Sequence, residues 1–462
     1  MSSRLIDSLA TTDALAEVFS DRSILQAMLD FETALARAEV TAGVIPARAA
    51  EAIAAAARAE QFDAEAIARE ARASGTVSIP LVQALTARVQ AADAASARFV
   101  HFGATSQDVA DSAMILTLQR AHTILAADHR RLDSTLRELS DRHALTVMLG
   151  RTLLQPAPPI TFGLKVAGWA GALGRAWRRV QAAMDDAAVL QFGGAAGTLA
   201  ALGDRGQVVS SALAGELGLG APDAPWHTHR DRLAGLVTAV GIYTATLGKI
   251  ARDISLLMQD EVGEVAERGG GSSTMPHKRN PAGCAVALAA STRLPGLVAA
   301  FLSGMAQEHE RGVGGWHAEW PTLAATMQTT GSALAALADA VEGLSVHPDR
   351  MRANIEKTNG AIFAERAVML MTPGMGKESA LGLVSQALAQ SRETGQSFRE
   401  ALMAMPEVAR AIPAAVLATI DAPEDYVGAA EILRVRLLQT PELEGHRPEA
   451  GGQRPGSSPE PD

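Results

Sequence analysis

The chain has 462 residues, of which 48% are hydrophobic, 20% charged and 4% aromatic, and its formal net charge is −10. This length predicts two or three soluble domains, and the negative charge without a long basic run argues against nucleic acid as a partner. The single cysteine, Cys284, excludes an intramolecular disulfide and a cysteine-based metal cluster, and is typical of the reducing cytosol. The N-terminal residues lack a sustained apolar core, so we expect no signal peptide.

The abundance of alanine and leucine, both strong helix formers, favours helices over sheets. Residues 1–105 are expected to form an N-terminal domain of shorter helices, separated by the sequences GVIP and ASGTVSIP. Two longer apolar stripes then recur at spacings of three, four and seven residues, over 115–139 and 233–257. Each is longer than a typical globular helix, which predicts a central bundle of long helices over residues 106–345.

A third apolar region runs from Ala282 to about Leu344, and we expect breaks at Pro295 and at Arg311–Gly315. Its first part is the most apolar long stretch of the chain and is predicted to be a buried helix, not a membrane span. The sequence SVHPDR marks the start of a C-terminal helical domain, residues 346–440. Residues 441–462 carry Pro, Gly, Ser and charge without an apolar face, which predicts a disordered tail. No alternation of apolar and polar residues indicates strands, so the prediction is an all-α protein of three domains.

The segment most informative about chemistry is RGGGSSTMPHKRNPAG, Arg268–Gly283. A Gly/Ser loop is often a mere connector, but that does not explain why hydroxyls, the Lys278 ammonium and the Asn280 amide are concentrated here. Residues 271–280, GSSTMPHKRN, match the signature G-S-S-x-M-P-x-K-x-N at every fixed position. The chain therefore resembles the fumarase/aspartase superfamily, which implies an all-α fumarase/aspartase-like fold with a central bundle of long helices.

A second segment, VHFGATSQDVADSA over residues 100–113, is similar to the part of these lyases that binds a substrate carboxylate. Thr105 and Ser106 precede the long helix predicted to begin near Asp108, and a helix N-terminus offers unpaired N–H groups and a positive dipole end. Simple N-capping explains the same residues, and the two roles are compatible. His101 is a candidate substrate-binding residue, with a packed structural histidine as the equal alternative.

A third segment is GRTLLQPAPP, which looks like a loop closed by prolines. It resembles the family sequence G-R-T-H-x-Q-x-A and departs from it at one position, where Leu153 replaces the histidine. The matching residues are Gly150, Arg151, Thr152, Gln155 and Ala157. The resemblance implies that Arg151, Thr152 and Gln155 line the site, while one catalytic position of the family is missing.

The family chemistry is reversible β-elimination, in which a base removes the proton alpha to a carboxylate and a group on the β-carbon leaves. The resemblance implies that Ser272 is the base. A serine hydroxyl needs activation to act as a base at neutral pH, and this is expected from backbone amides and Lys278 in a loop that closes over the substrate. Lys278 and Asn280 are expected to hold the carboxylate whose charge increases in the transition state.

The absence of the histidine at Leu153 indicates the nature of the leaving group. That histidine serves the protonation of a poor leaving group, whereas a carboxylate, whose conjugate acid has a pKa of roughly 4, needs no such help. A carboxylate leaves when a lactone ring opens, so the expected reaction is a cycloisomerisation. Within the superfamily, the resemblance points to the branch that interconverts 3-carboxy-cis,cis-muconate and 4-carboxymuconolactone in protocatechuate degradation, the β-ketoadipate pathway.

Two alternatives remain open at this stage. One is adenylosuccinate lyase or another amine-releasing lyase of the superfamily, against which Leu153 counts. The segment with Trp316 and Glu319 also counts against it, because the nucleotide enzyme carries a phosphate-binding Ser-rich run ending in Glu-Arg there. The other is a non-catalytic protein that kept the fold, against which the signature counts.

A substrate with three carboxylates needs several cations. The candidates are Lys278, Arg151 and Arg311, together with the helix N-terminus near Ser106. The resemblance also implies a homotetramer in which motifs from three subunits meet in each site. It implies no metal and no organic cofactor, and a cytoplasmic location.

Overall fold

The structure is a computed structural model that describes residues 4–271, 274–275 and 278–439. Its first part contains six helices before the bundle. They are α1 Arg4–Asp7, α2 Asp13–Val18, α3 Asp21–Thr41, α4 Ala47–Ala56, α5 Ala64–Ser74 and α6 Ser78–Ala92.

The central part contains long helices, one β-hairpin and a second, very short strand pair. The helices are α7 Ser106–Arg142, α8 Phe162–Ala187, α9 Gly206–Leu217, α10 Asp231–Leu257, α11 Ala282–Ser303 and α12 Gly315–Glu342. The strands are β1 Val147–Thr152, β2 Gln155–Thr161, β3 Val265–Ala266 and β4 Ser345–Val346, paired antiparallel as β1–β2 and β3–β4.

Seven helices follow the bundle. They are α13 Pro348–Glu356, α14 Ala364–Met375, α15 Lys377–Thr394, α16 Phe398–Met403, α17 Pro406–Ala411, α18 Ala414–Ala418 and α19 Ala430–Leu438. The predicted all-α class is confirmed, and the two predicted apolar stripes lie in α7 and α10. In α7, for example, Leu118, Leu125 and Leu132 are fully buried at every second turn of one face.

The buried apolar side chains show how the parts are joined. One continuous cluster extends from Leu15 to Met351 and includes residues of α3, α7, α8, α10 and α12. A separate cluster lies within residues 367–420, on α14–α18 and the segments between them. The first 105 residues therefore share a core with the long helices, and the three-domain division stays a prediction. The predicted tail, 441–462, lies outside the described residues.

Three local predictions were wrong or incomplete. Pro295 does not end the helix, because α11 continues through it. A proline inside a helix lacks the N–H that would donate one backbone hydrogen bond. The stretch GRTLLQPAPP is a β-hairpin and not a loop. The 26-residue helix α8 is a further bundle helix that the two stripes did not include.

Helix α11 is buried on one face only. Both α10 and α11 are long and apolar enough to cross a membrane, but 61% of the most apolar window of α10 is buried inside the protein and belongs to its core. The corresponding window of α11 is 22% buried. Cys284, Ala287 and Leu294 face the core, while Leu302 is 46% exposed. The predicted buried helix thus has an apolar face that the described part of the chain does not cover.

An aromatic sandwich joins α7 to α8 and α10. Trp177 of α8 stacks on His122 and on His129 of α7, with ring centroids 5.2 and 4.5 Å away. His129 Nδ1 lies 3.1 Å from the Tyr243 hydroxyl of α10. Burial, with a smaller contribution from nearby arginines, lowers the pKa of His129 to about 3, so this imidazole is neutral at physiological pH.

Candidate active site

The N-terminus of α7 is held by one aspartate. Asp108 reaches back to accept the backbone N–H of Thr105 at 3.0 Å, as in a capping box. Its two oxygens also accept the N–H groups of Gly193 and Gly194 at 3.0 and 2.9 Å, and His227 Nε2 lies 2.7 Å from Oδ1. Asp108 is fully buried, so these contacts fix the first turn of the helix. His227 is 3% exposed and serves this turn.

A guanidinium completes the start of the helix. Arg311 Nη1 donates to Thr105 Oγ1 at 2.7 Å, and Nη2 donates to Ser106 Oγ at 3.4 Å. Within the described part of the chain, no carboxylate lies within ion-pair distance of Arg311. A cation without a charged partner, two hydroxyls and a helix N-terminus are an arrangement that can bind an anion such as a carboxylate.

A buried charge network lies next to this site and joins α7 to α12. The Arg230 guanidinium donates to both oxygens of Asp111 on α7, at 2.8 and 3.0 Å, and to Glu319 on α12 at 3.0 and 3.1 Å. Trp316 Nε1 also donates to Asp111, at 2.9 Å. Burial raises the pKa of Asp111, but Arg230 outweighs it and holds this pKa below its usual range. The network ties the segment after Arg311 to the first turns of α7.

His101 lies in the turn before α7 and has a buried partner. Its Nδ1 is 2.7 Å from Glu32 Oε1 on α3, and Glu32 is 1% exposed. Its backbone has a φ of 59°, a left-handed conformation that is uncommon for residues other than glycine.

The family-like GRTLLQ stretch forms the tip of the β1–β2 hairpin. Arg151 pairs with Pro156 and Thr152 with Gln155, so Leu153 and Leu154 make a two-residue turn. Both leucines have positive φ, 50° and 64°, where such turns favour Asn-Gly. They are 96% and 76% exposed, and Thr152 and Gln155 are also exposed. The position that carries histidine in the family therefore points away from its own chain.

Arg151 lies one residue pair from the hairpin turn and forms an ion pair. Its Nη1 and Nη2 donate to the two oxygens of Glu264 at 2.9 and 2.7 Å. Glu264 is fully buried and also accepts from Asn354 Nδ2 at 2.8 Å. The positive charge of Arg151 is thus matched within the chain, unlike that of Arg311.

The signature segment is closed at its base. Ser272, the predicted base, lies outside the described residues. Asn280 N–H donates to the Gly270 carbonyl at 2.7 Å, and Gly270 has a φ of 68° and would place a Cβ 2.0 Å from the Asn280 oxygen. Glycine is therefore required at this position. Lys278 is exposed, and Asn280 is half-buried.

The structure brings the predicted residues into three groups. They are His101, Thr105, Ser106 and Arg311 at the start of α7; Arg151, Thr152 and Gln155 on the hairpin; and Lys278 with Asn280 at the signature segment. No hydrogen bond or ion pair between described residues joins one group to another. Sequence reasoning missed the buried partners Asp108, Glu264, Arg230 and Glu32, since the burial of an acidic or basic residue is not visible in the local sequence. No three His, Cys, Asp or Glu side chains cluster as metal ligands in the described ranges.

Comparison with known proteins defines the class of this chain. The model of a family described as lyase matches residues 8–296, and the model described as the adenylosuccinate lyase C-terminus matches residues 360–437. The chain belongs to this lyase family, the fumarase/aspartase superfamily, as the signature segment predicted.

The names of its similar relatives specify one enzyme within this family. The chain is 47% identical to the 3-carboxy-cis,cis-muconate cycloisomerase of Bradyrhizobium diazoefficiens over 442 residues, which cover 95% of this chain and 98% of the relative. It is 45% identical to the protein of the same name from Pseudomonas aeruginosa, with 96% and 98% covered. The crystal structure of the 3-carboxy-cis,cis-muconate lactonizing enzyme from Pseudomonas putida matches with a TM-score of 0.90 at 42% identity, over 94% of this chain and 98% of that one.

Proposed function

We propose that this chain interconverts 3-carboxy-cis,cis-muconate and 4-carboxymuconolactone in protocatechuate degradation. The observation that carries the proposal is the anion site at the start of α7, where Arg311 faces two hydroxyls and has no carboxylate partner among the described residues. A small polycarboxylate is the ligand that such a site favours. The intact signature, the leucine at position 153 and the names of the relatives support the same reaction.

The reaction joins a carboxylate to an alkene within one molecule. A carboxylate oxygen of the muconate adds to the conjugated double bond and forms the C–O bond of the lactone. The displaced electron pair passes to the carbon alpha to another carboxylate, which gives an aci-carboxylate, and that carbon takes a proton from the Ser272 hydroxyl. In the reverse direction, Ser272 removes this proton and the lactone carboxylate leaves. Lys278 and Asn280 stabilise the aci-carboxylate, and no acid is needed at Leu153.

The remaining candidates bind the other carboxylates and shape the site. Arg311, Thr105, Ser106 and His101 hold one carboxylate at the start of α7. The hairpin residues Arg151, Thr152 and Gln155 approach from a different subunit of a homotetramer. Two features support this assembly: the exposed apolar face of α11 and the exposed Leu153–Leu154 tip, neither of which is covered by the described residues of its own chain. The enzyme acts in the cytoplasm without a cofactor.

The proposal is tested with purified protein and 3-carboxy-cis,cis-muconate. We expect loss of the conjugated-diene absorbance, and we expect Ser272→Ala to abolish it. Ser211→Ala, at an exposed position on α9, is the matched control and should retain turnover. Fumarate release from adenylosuccinate without turnover of the muconate would move the assignment to the amine-releasing lyases, and silence with both substrates would favour a non-catalytic protein.

Sharing of sites between subunits has its own test. Ser272→Ala and Arg311→Gln are each expected to be nearly inactive. If their residues meet from different subunits, mixing the two variants through reversible dissociation should restore part of the activity, because some sites in the hybrids are intact. Light scattering of the unmixed protein gives its oligomeric state. A monomer, or hybrids without any recovered activity, contradicts the shared-site proposal.

A further inference from the structure

Two carboxyl groups are buried on one face of α3, close to the turn that precedes α7. Glu32 and Glu39 are seven residues apart and 2% and 0% exposed. Glu32 contacts His101 through Oε1, while its Oε2 and both oxygens of Glu39 are buried without a hydrogen-bond partner. Buried carboxyls that lack partners are costly, so this pair calls for an explanation.

The two carboxyls differ in charge. Burial, and then the proximity of Glu32, raise the pKa of Glu39 to about 9, so Glu39 is protonated at neutral pH. The single negative charge of the pair therefore lies on Glu32, beside the imidazole of His101. Because Glu32 can only accept, His101 Nδ1 must be the donor in their 2.7 Å contact.

This contact decides what the other ring nitrogen can do. His101 Nε2 has no partner among the described residues and is not enclosed, and the side chain is 18% exposed. In the imidazolium form Nε2 carries a proton and attracts an anion, whereas in the neutral form with Nδ1 protonated it is a lone pair and repels one. The charge of the ring thus determines whether His101 contributes to the anion site at the start of α7.

The charged groups that act on the ring come from two helices. Burial by itself lowers the pKa of His101, but Glu32 of α3 and, less strongly, Asp108 of α7 outweigh it and raise this pKa above its usual range. Asp108 is already occupied by the Gly193 and Gly194 N–H groups and by His227. Glu32 is therefore the partner whose charge is directed at His101.

We propose that Glu32 is a positioning residue that holds His101 as an imidazolium, so that Nε2–H donates to a substrate carboxylate next to Arg311. This role rests on the proposed function, since it assigns a further cation to the same site. It also accounts for the left-handed φ of His101, which the bond to Glu32 helps to hold. Glu39 stays neutral and has no part in the charge.

The first test measures the protonation of His101 itself, by hydrogen–deuterium exchange at the imidazole C2 position read by mass spectrometry across pH. In the wild type we expect the pKa of His101 above its ordinary value. Glu32→Gln should lower it, Glu32→Asp should largely keep it, and Glu39→Gln, which replaces a neutral acid by a neutral amide, should leave it unchanged. If the pKa of His101 is the same in Glu32→Gln as in the wild type, the inference is overturned, whatever the activity of the protein.

The second test reads substrate binding. At a pH between the His101 pKa values that the exchange experiment finds for wild type and variant, Glu32→Gln should raise KM for the muconate about tenfold, the size expected for one lost charge-assisted hydrogen bond, with kcat little changed. KM should recover as the pH falls, because the lowered pKa is then crossed again. Glu39→Gln should follow the wild-type profile. A KM that stays constant in Glu32→Gln while the pKa of His101 moves contradicts the role in binding. If the muconate is not turned over at all, the proposed function fails, and the exchange experiment still decides the link between Glu32 and His101.

Discussion

Sequence reasoning assigns two arginines to substrate carboxylates. Arg311 contacts the start of α7, and Arg151 lies on the β1–β2 hairpin, and the two differ in their surroundings. Arg311 bonds to two hydroxyls and has no acidic partner in the described part of the chain. Arg151 forms a two-point ion pair with the buried Glu264. An arginine with a free charge is available to a ligand, whereas one with a matched charge holds the fold together. The same residue type at two candidate positions thus gives different expectations for mutation.

The largest effect is expected at the hairpin. Arg151→Met leaves the buried Glu264 with Asn354 as its one side-chain hydrogen-bond partner among the described residues, and should lower the free energy of unfolding by about 3–5 kcal/mol, the usual cost of an orphaned buried charge. Chemical denaturation measures this loss. The double variant Arg151→Met/Glu264→Gln should recover part of it. As a control, Arg48→Met breaks an ion pair of a 79% exposed arginine and should cost less than about 1 kcal/mol. Equal losses at Arg151 and Arg48 would remove the distinction between the two regions.

At the start of α7 the effect should fall on activity. Arg311→Gln removes the cation from the anion site, and kcat/KM should drop roughly a hundredfold, which corresponds to the upper range for a hydrogen bond to a charged group. The melting temperature should change little, because the bonds lost are to two hydroxyls. Arg69→Gln, an exposed arginine on α5, is the matched control. A large loss of stability with Arg311→Gln would show that this arginine, too, is mainly structural.

Acid pH tests a different part of α7. The folded chain holds His129 at a pKa of about 3, below the usual value of 6.5, so the unfolded chain binds this proton more readily. Stability should therefore be complete above pH 6.5 and fall as the pH decreases, by about 2 kcal/mol at pH 5. Denaturation curves at several pH values measure the slope, which His129→Phe should reduce and His347→Asn, at an exposed histidine, should not. An unchanged slope in His129→Phe would mean that acid sensitivity arises at the ligand site.

The smallest effect is expected at the hairpin tip. Leu153→His restores the family residue, yet the cycloisomerase rate should stay within about twofold, because a departing carboxylate needs no proton donor. Initial rates with the muconate measure this, and Leu154→His is the neighbouring control. A large gain specific to Leu153→His would overturn the explanation of that position by the leaving group.

Particular residues show how far the sequence could lead. The stripes over α7 and α10 were predictable because a fully buried helix face repeats every three or four residues. The family-like segment VHFGATSQDVADSA, residues 100–113, predicted Thr105 and Ser106 at a helix start. The hairpin was not predictable, because Pro156, Pro158 and Pro159 lie in β2 and its turn is Leu-Leu, both contrary to strand and turn preferences.

Other features depend on the folded arrangement. Glu264 and Glu32 lie 113 and 69 residues from Arg151 and His101, their respective partners. Nothing in the local sequence distinguishes them from the solvent-exposed acids of neighbouring helices. The sequence could therefore indicate which cations are candidates for the site, but not which of them is already neutralised.

The Leu153–Leu154 turn also has a consequence for the behaviour of the protein in solution. Two non-glycine residues in the left-handed region cost on the order of 1 kcal/mol or more each, and two large apolar side chains are hydrated in the separate chain. If another subunit covers this tip, association removes the two side chains from water. Because association depends on protein concentration, the measured stability then rises with that concentration. In that case dilution alone lowers the melting temperature of the wild type, so the enzyme is less heat-stable in a dilute assay than in a concentrated stock.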